Sequence, residues 1–229
     1  MNKQGAKILL WDIETTHLKC DFGTLLCVGY RWYGEKKIHC PAISDYPNFE
    51  KDPTDDSALV KDFLEIYKQA DMTVGYYSSG FDLKFFQGKL MEHGFEIPPK
   101  VPMVDLFYTV KSNLALSRKS LQNVGYFLNF SAEKTPVEGK IWKRAATGDR
   151  KSLKYIKDHC IADIELLEEA YDRLKPLVRT HPRVAAYSDC RYCGGPVQSR
   201  GFALTATKGR RQKMQCTKCG GWDTRPALT

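Results

Sequence analysis

Two kinds of apolar spacing alternate along the chain. Short apolar runs bounded by turn formers predict strands, and stretches with apolar residues every three or four positions predict helices. Residues 7–10 form a buried strand that runs into Trp11-Asp12-Ile13-Glu14-Thr15-Thr16. Residues 25–33 are a second strand, Gly34-Glu35-Lys36 a turn and 37–40 a returning strand, together an antiparallel meander. After a loop over 41–53, Asp55, Asp56 and Ser57 offer N-caps to a helix with Leu59, Val60, Phe63, Leu64 and Tyr67 on one face. A strand over 72–77 turns at Ser78-Ser79-Gly80 into a helix over 81–93, closed by Gly94. Residues 103–107 are a short strand, 107–130 mostly helical and 131–140 a loop. The last helix spans 151–174, with Leu153, Ile156, Cys160, Ile164, Leu167, Tyr171 and Leu174 as a buried stripe. Pro176 ends it, and 179–187 read as a linker.

Strands followed by alternating helix and strand predict a mixed α/β domain, and 42% hydrophobic residues suffice for its core. No apolar run is long enough to cross a membrane, so no membrane partner is expected. The N-terminus leads only to a short strand, so no signal peptide is expected. The expected location is therefore the reducing cytoplasm, the host's if the chain is viral. Charge and cysteine are both uneven. Residues 187–229 hold eight Lys/Arg against two Asp, +6 of the total +8, which points to nucleic acid. Cys20, Cys27, Cys40 and Cys160 are scattered and read as small core residues.

The candidate chemistry begins on the first strand. Side chains two apart share a face, so Asp12 and Glu14 point together while Trp11 and Ile13 pack on the other side. Paired carboxylates resist full ionisation, and a hard divalent cation removes that conflict. Asp82 opens the helix after Ser78-Ser79-Gly80. His159 and Asp163 lie one turn apart on the last helix and can look into one site. Asp158 is the alternative to Asp163.

In this order, Asp12-x-Glu14, Phe81-Asp82-x-x-Phe85 and His159-x-x-x-Asp163 resemble the DEDD (DnaQ-like) 3′–5′ exonucleases, over roughly residues 7–182. Asp105-Leu106, Leu116-Ser117-Arg118-Lys119-Ser120-Leu121 and His181-Pro182 also fit. The chain is most similar to stand-alone phage and bacterial members related to the proofreading domains of family B polymerases. The resemblance implies a ribonuclease-H-like mixed sheet with flanking helices. It implies that Asp12, Glu14, Asp82 and Asp163 hold two Mg²⁺ or Mn²⁺ ions, with His159 as general base. It further implies that Thr15 and Thr16 border the terminal nucleotide and that the products are nucleoside 5′-monophosphates. The implied substrate is a single-stranded DNA or RNA 3′ end, DNA first. A polymerase or another replication or repair protein is the kind of protein partner it suggests. Two positions depart from the family pattern. The group places Tyr four residues, or His five residues, before the last Asp, whereas His159 lies four before Asp163 and Tyr155 is its rival. Many relatives carry an amide where this chain has Tyr77. Most of Tyr76, Tyr77, Phe81 and Phe107 are expected in the core. A structure-specific endonuclease or ribonuclease, and a non-catalytic adaptor on the same fold, are the competing functions.

Cys190-x₂-Cys193 and Cys216-x₂-Cys219, followed by Gly194-Gly195 and Gly220-Gly221, look like a zinc ribbon with structural Zn²⁺ on four thiolates. The domains expected are 1–182, nuclease, and 183–229, ribbon. Between the knuckles, Lys208, Arg210, Arg211 and Lys213 form a candidate nucleic-acid-binding loop.

Overall fold

Leu9, Trp11 and Ile13 alternate with Leu10, Asp12 and Glu14 along β1 (Ile8–Thr15), and the two sets face different layers. The computed structural model describes residues 6–131, 137–183 and 189–226. These fall into two compact units, Lys7–Asp172 and a second that takes in the chain from Arg173. In the first unit the sheet order is β2-β1-β3-β4, with β2 (Leu25–Trp32) antiparallel to β1. Strands β3 (Met72–Gly75) and β4 (Met103–Asp105) continue parallel to β1. This is the expected ribonuclease-H-like mixed sheet with flanking helices.

The odd face of β1 meets α1 (Ser57–Tyr67) and α2 (Asp82–Glu92). Fully buried Trp11 lies 5.2 Å from Phe63 and 6.2 Å from Phe86, ring centroid to centroid, and Phe63 lies 5.0 Å from Phe86. The even face meets α6 (Arg150–Leu174). Gly29 sits opposite Asp12 in the β1–β2 ladder. A Cβ there would lie 2.7 Å from Cys160 Sγ and 2.9 Å from Ile164 Cγ1, so the missing side chain lets α6 lie directly on the sheet.

Several elements differ from expectation. The returning strand over 37–40 reduces to isolated bridges, Tyr30 with His39 and Cys27 with Ala42. Pro41 between them has no N–H for a continuous ladder. Strand β3 stops at Gly75, because the backbone at Tyr77 turns left-handed (φ 64°). The helical region splits into α3 (Leu106–Asn113) and α4 (Leu121–Leu128), and Ser120 caps the latter by accepting from Asn123 N. An unexpected helix, α5 (Gly139–Ala146), precedes α6. Parts of the expected loop (132–136) and linker (184–188) lie outside the described residues. The second unit contains the antiparallel strands β5 (Val197–Thr205), β6 (Gly209–Cys216) and β7 (Trp222–Pro226). Among the described residues, no helix is long and apolar enough to cross a membrane.

The N-cap expectation for α1 resolves into a division of labour. Asp55 accepts from Ser57 N, as a turn-closing carboxylate does. Asp56 instead points inward and is 1% exposed. It accepts from Leu25 N (2.6 Å) and pairs with His93 Nε2 (2.5 Å) and Lys89 Nζ (3.5 Å). One buried carboxylate thus ties the start of β2 to α1 and the end of α2. Removing it leaves the Leu25 amide without its buried acceptor and takes from His93 and Lys89 a buried carboxylate, Lys89 keeping Glu92 at 2.7 Å, so Asp56→Ala should cost ~3 kcal/mol of unfolding free energy. Asp55→Ala should cost only ~1 kcal/mol. Denaturant titration of both variants checks the ranking.

Candidate functional site

Strand β1 delivers Asp12 and Glu14 to the face covered by α6, and a register shift between Glu14 and Thr15 bends the strand at that point. From α6, His159 Nε2 lies 3.8 Å from Glu14 Oε1 and 3.8 Å from Asp163 Oδ2. The ligand atoms of Glu14, His159 and Asp163 all lie within 4.8 Å of one another. Glu14, His159 and Asp163 are buried, whereas Asp12 is partly open. Asp12 and Asp163 also line one cleft of about 650 Å³. The structure therefore gathers four of the five expected residues around one point. Tyr155 does not line the cleft. Asp158 lies on the exposed side of α6, paired with Lys154 at 2.7 Å.

Asp82 approaches from the other side of β1. Its Oδ1 accepts from Ile13 N at 3.2 Å, and it is 3% exposed. It is not within the tight ligand groups. Burial pushes its carboxyl up to about 6, against the lowering effect of the Ile13 amide and the Ser78 hydroxyl. This carboxylate is held where its negative charge lacks sufficient compensation from the protein alone.

The other cleft wall is aromatic and basic. Tyr76, Tyr77, Phe107 and Tyr108 line it with Lys111 and Lys119. Tyr77 and Tyr108 are 46% and 44% exposed, so these rings are not core. Tyr77 packs edge-on to Phe107 at 4.9 Å, and Tyr76 donates its hydroxyl to the Lys119 carbonyl. The organiser of this wall is Asp105, the N-cap of α3. It accepts from Phe107 N (3.1 Å), Tyr77 N (2.8 Å), Ser79 N (3.0 Å) and Ser79 Oγ (2.5 Å). Tyr108, Lys111 and the organising role of Asp105 were not picked out from the sequence. The available signal was that Asp105, like Asp12 and Glu14, is an acid at the end of a short apolar strand.

The two threonines serve the β1–β2 connection. Thr15 donates its hydroxyl to the His17 carbonyl, and the Thr16 hydroxyl accepts from Thr24 N. Neither lines the cleft.

In the second unit, the four knuckle cysteines draw together, with Cys190 Sγ 3.6 Å from Cys219 Sγ and Cys193 Sγ 3.6 Å from Cys216 Sγ. Zn–S bonds of ~2.3 Å in a tetrahedron separate sulfurs by roughly 3.8 Å, so the donor set fits Zn²⁺. The expected basic loop is mostly strand. Lys208 lies in the turn before β6, while Arg210, Arg211 and Lys213 lie on β6 itself. Arg211 and Lys213 share a face, and Arg210 points the other way over the Phe202 ring at 4.0 Å.

A mixed sheet with strand-borne acids facing a helix-borne His and Asp defines a ribonuclease-H-like protein. The profile of the RNase_H superfamily matches residues 9–175, and the chain belongs to that superfamily. Among solved structures it is similar to the family B DNA polymerase of the hyperthermophilic archaeon Pyrobaculum calidifontis. That match has a TM-score of 0.63 and 16% identity, and covers 76% of this chain and 25% of the polymerase. The likeness is one of fold. No curated protein matches the sequence.

The raised Asp82 carboxyl gives a signed prediction. Between pH ~4 and ~6 the folded protein binds more protons at this group than the unfolded chain does. Its contribution to stability is therefore present at low pH and lost as pH rises through about 6. With a chelator present, Asp82→Asn should raise the melting temperature near pH ~7–8 and give no gain near pH ~4. Thermal melts at both pH values test this, and an equal gain at both would place the effect elsewhere.

Proposed function

We propose that the chain is a metal-dependent 3′–5′ exonuclease that hydrolyses single-stranded nucleic acid, DNA first, to nucleoside 5′-monophosphates. The observation that carries this reading is the closeness of Glu14, His159 and Asp163, with Asp163 and Asp12 lining a cleft whose wall is otherwise aromatic and lysine-bearing. The carboxylate donors suit hard divalent cations, and buried Asp82 is a carboxylate that such a charge would help to ionise. Asp12, Glu14, Asp82 and Asp163 would hold two Mg²⁺ or Mn²⁺ ions, which when bound supply charge stabilisation and ease the deprotonation of water. His159 Nε2 would take the proton of the attacking water. Glu14 and Asp163, each 3.8 Å from that nitrogen, would stabilise the imidazolium formed. Tyr77 and Tyr108 offer exposed ring faces to unstacked bases. Lys111 and Lys119 offer charge to the backbone. Strand separation is implied, because a stacked duplex does not present base faces to such rings.

In the second unit, Cys190, Cys193, Cys216 and Cys219 would hold a structural Zn²⁺. The division proposed is 1–182 for chemistry and 183–229 for grip.

Asp12→Ala, Glu14→Ala, Asp82→Ala and Asp163→Ala should each nearly abolish Mg²⁺- or Mn²⁺-dependent release of mononucleotides from a 3′-labelled single strand. His159→Ala should lower turnover by ~10²–10⁴-fold while Tyr155→Phe leaves it unchanged. A 3′-blocked strand cut at the same rate as an open one would replace this reading with an endonuclease.

Binding carries a separate prediction. Each phosphate contact on a single strand adds ~0.7 to the slope of log K against log salt. Neutralising Arg211 and Lys213 together should flatten the slope by roughly 1.4 if their shared face meets the backbone, with turnover at saturating substrate unchanged. Neutralising Lys208 and Arg210 as well takes the limit to roughly 3. Fluorescence anisotropy across a salt series measures both.

A further inference from the structure

Three cysteines distant in sequence meet in the first unit. Cys27 comes from β2, Cys40 from the bridged segment beside it, and Cys160 from α6. Their sulfurs all lie within 4.8 Å of one another, and all three side chains are buried. Cys40 and Cys160 donate weakly to the Lys157 and Asp12 carbonyls, at 3.7 and 3.9 Å, and loss of those protons would free both sulfurs as donors. Three soft donors aimed at one point from three elements are what a thiophilic ion requires. Around an ion with ~2.3 Å bonds, sulfurs stand about 3.8–4.0 Å apart, so the cage closes with shifts on the order of 1 Å.

Access also exists. Cys40 lines a second cleft of about 630 Å³, walled by His39, Tyr46 and Lys157 among others, which shares no lining residue with the acid-bearing cleft. An ion entering this cleft, whose wall also carries Asp45, Asp62 and Glu65, meets Cys40 first, with Cys27 and Cys160 buried behind it. We propose that Cys27, Cys40 and Cys160 form a binding site for a thiophilic d¹⁰ cation of the Zn²⁺, Cd²⁺ or Cu⁺ class, separate from the four-cysteine cluster and adjoining the acidic site through Cys160, whose sulfur lies within 4.8 Å of ligand atoms of Asp12 and Glu14. Such an ion would clamp α6 onto β2. Cys160 follows His159 in sequence, and Cys27 sits opposite Glu14 in the ladder, so the clamp reaches the two elements that carry the acids.

The test uses the full chain, reduced and metal-free, titrated with Cd²⁺ and read by ¹¹³Cd NMR and thiolate-to-cadmium charge-transfer absorbance. Two thiolate-bound cadmium ions per chain are expected, one with four sulfurs and one with three. Cys27→Ser and Cys40→Ser should each remove the three-sulfur signal and leave the four-sulfur signal in place. A single thiolate-bound ion in the wild-type protein overturns the proposal without recourse to any variant. So does a second ion that survives both substitutions in folded protein. No nuclease measurement enters, so this site and the exonuclease reading stand or fall separately.

Discussion

The closeness of α6 to the β1–β2 pair is the constraint on which the site depends. It is set by an absence, the side chain that Gly29 lacks. Because opposed residues on paired strands share a face, the space opened at Gly29 lies beside Asp12. The helix settles into that space with Cys160 and Ile164, which brings His159 and Asp163 over the acidic strand. A helix held even a methyl group further out would separate carboxylates and imidazole that now sit at the limit of direct interaction. Packing on the opposite face, around Trp11, Phe63 and Phe86, keeps β1 from yielding instead.

The site then concentrates negative charge beside the His159 imidazole. Asp12, Glu14, Asp82 and Asp163 come from three elements, and three of the four are buried. Elsewhere the same chain satisfies a buried acid fully, as at Asp56 with its lysine, histidine and amide.

What could be read from the sequence follows the range over which each signal acts. Alternation along a strand and i,i+4 spacing on a helix are local, so the shared face of Asp12 and Glu14 and the pairing of His159 with Asp163 were legible. So was the α/β class, since each element carries its own periodicity. The three-cysteine cluster was not legible, because Cys27, Cys40 and Cys160 are joined only by tertiary packing. The exposure of Tyr77 was missed for a related reason. Its ring looks apolar in sequence, but a left-handed backbone, fixed by the distant carboxylate of Asp105, turns it outward. A φ of 64° suits asparagine better than tyrosine. The basic stretch after Lys208 reads as a loop in the sequence and is largely strand in the structure, because charge content says nothing about strand alternation.

Strands β1 and β3 pair only from Ile8 to Leu10 and then diverge. Beyond the fork, the Ile13 amide has no neighbouring strand on that side and donates to the Asp82 carboxylate instead. A side chain there does the work of a missing strand, and its strength as an acceptor changes with its charge. The Ile13 amide is therefore a native spectroscopic reporter. Its nitrogen shift and its hydrogen-exchange rate register the ionisation of Asp82 from within the backbone and without a label.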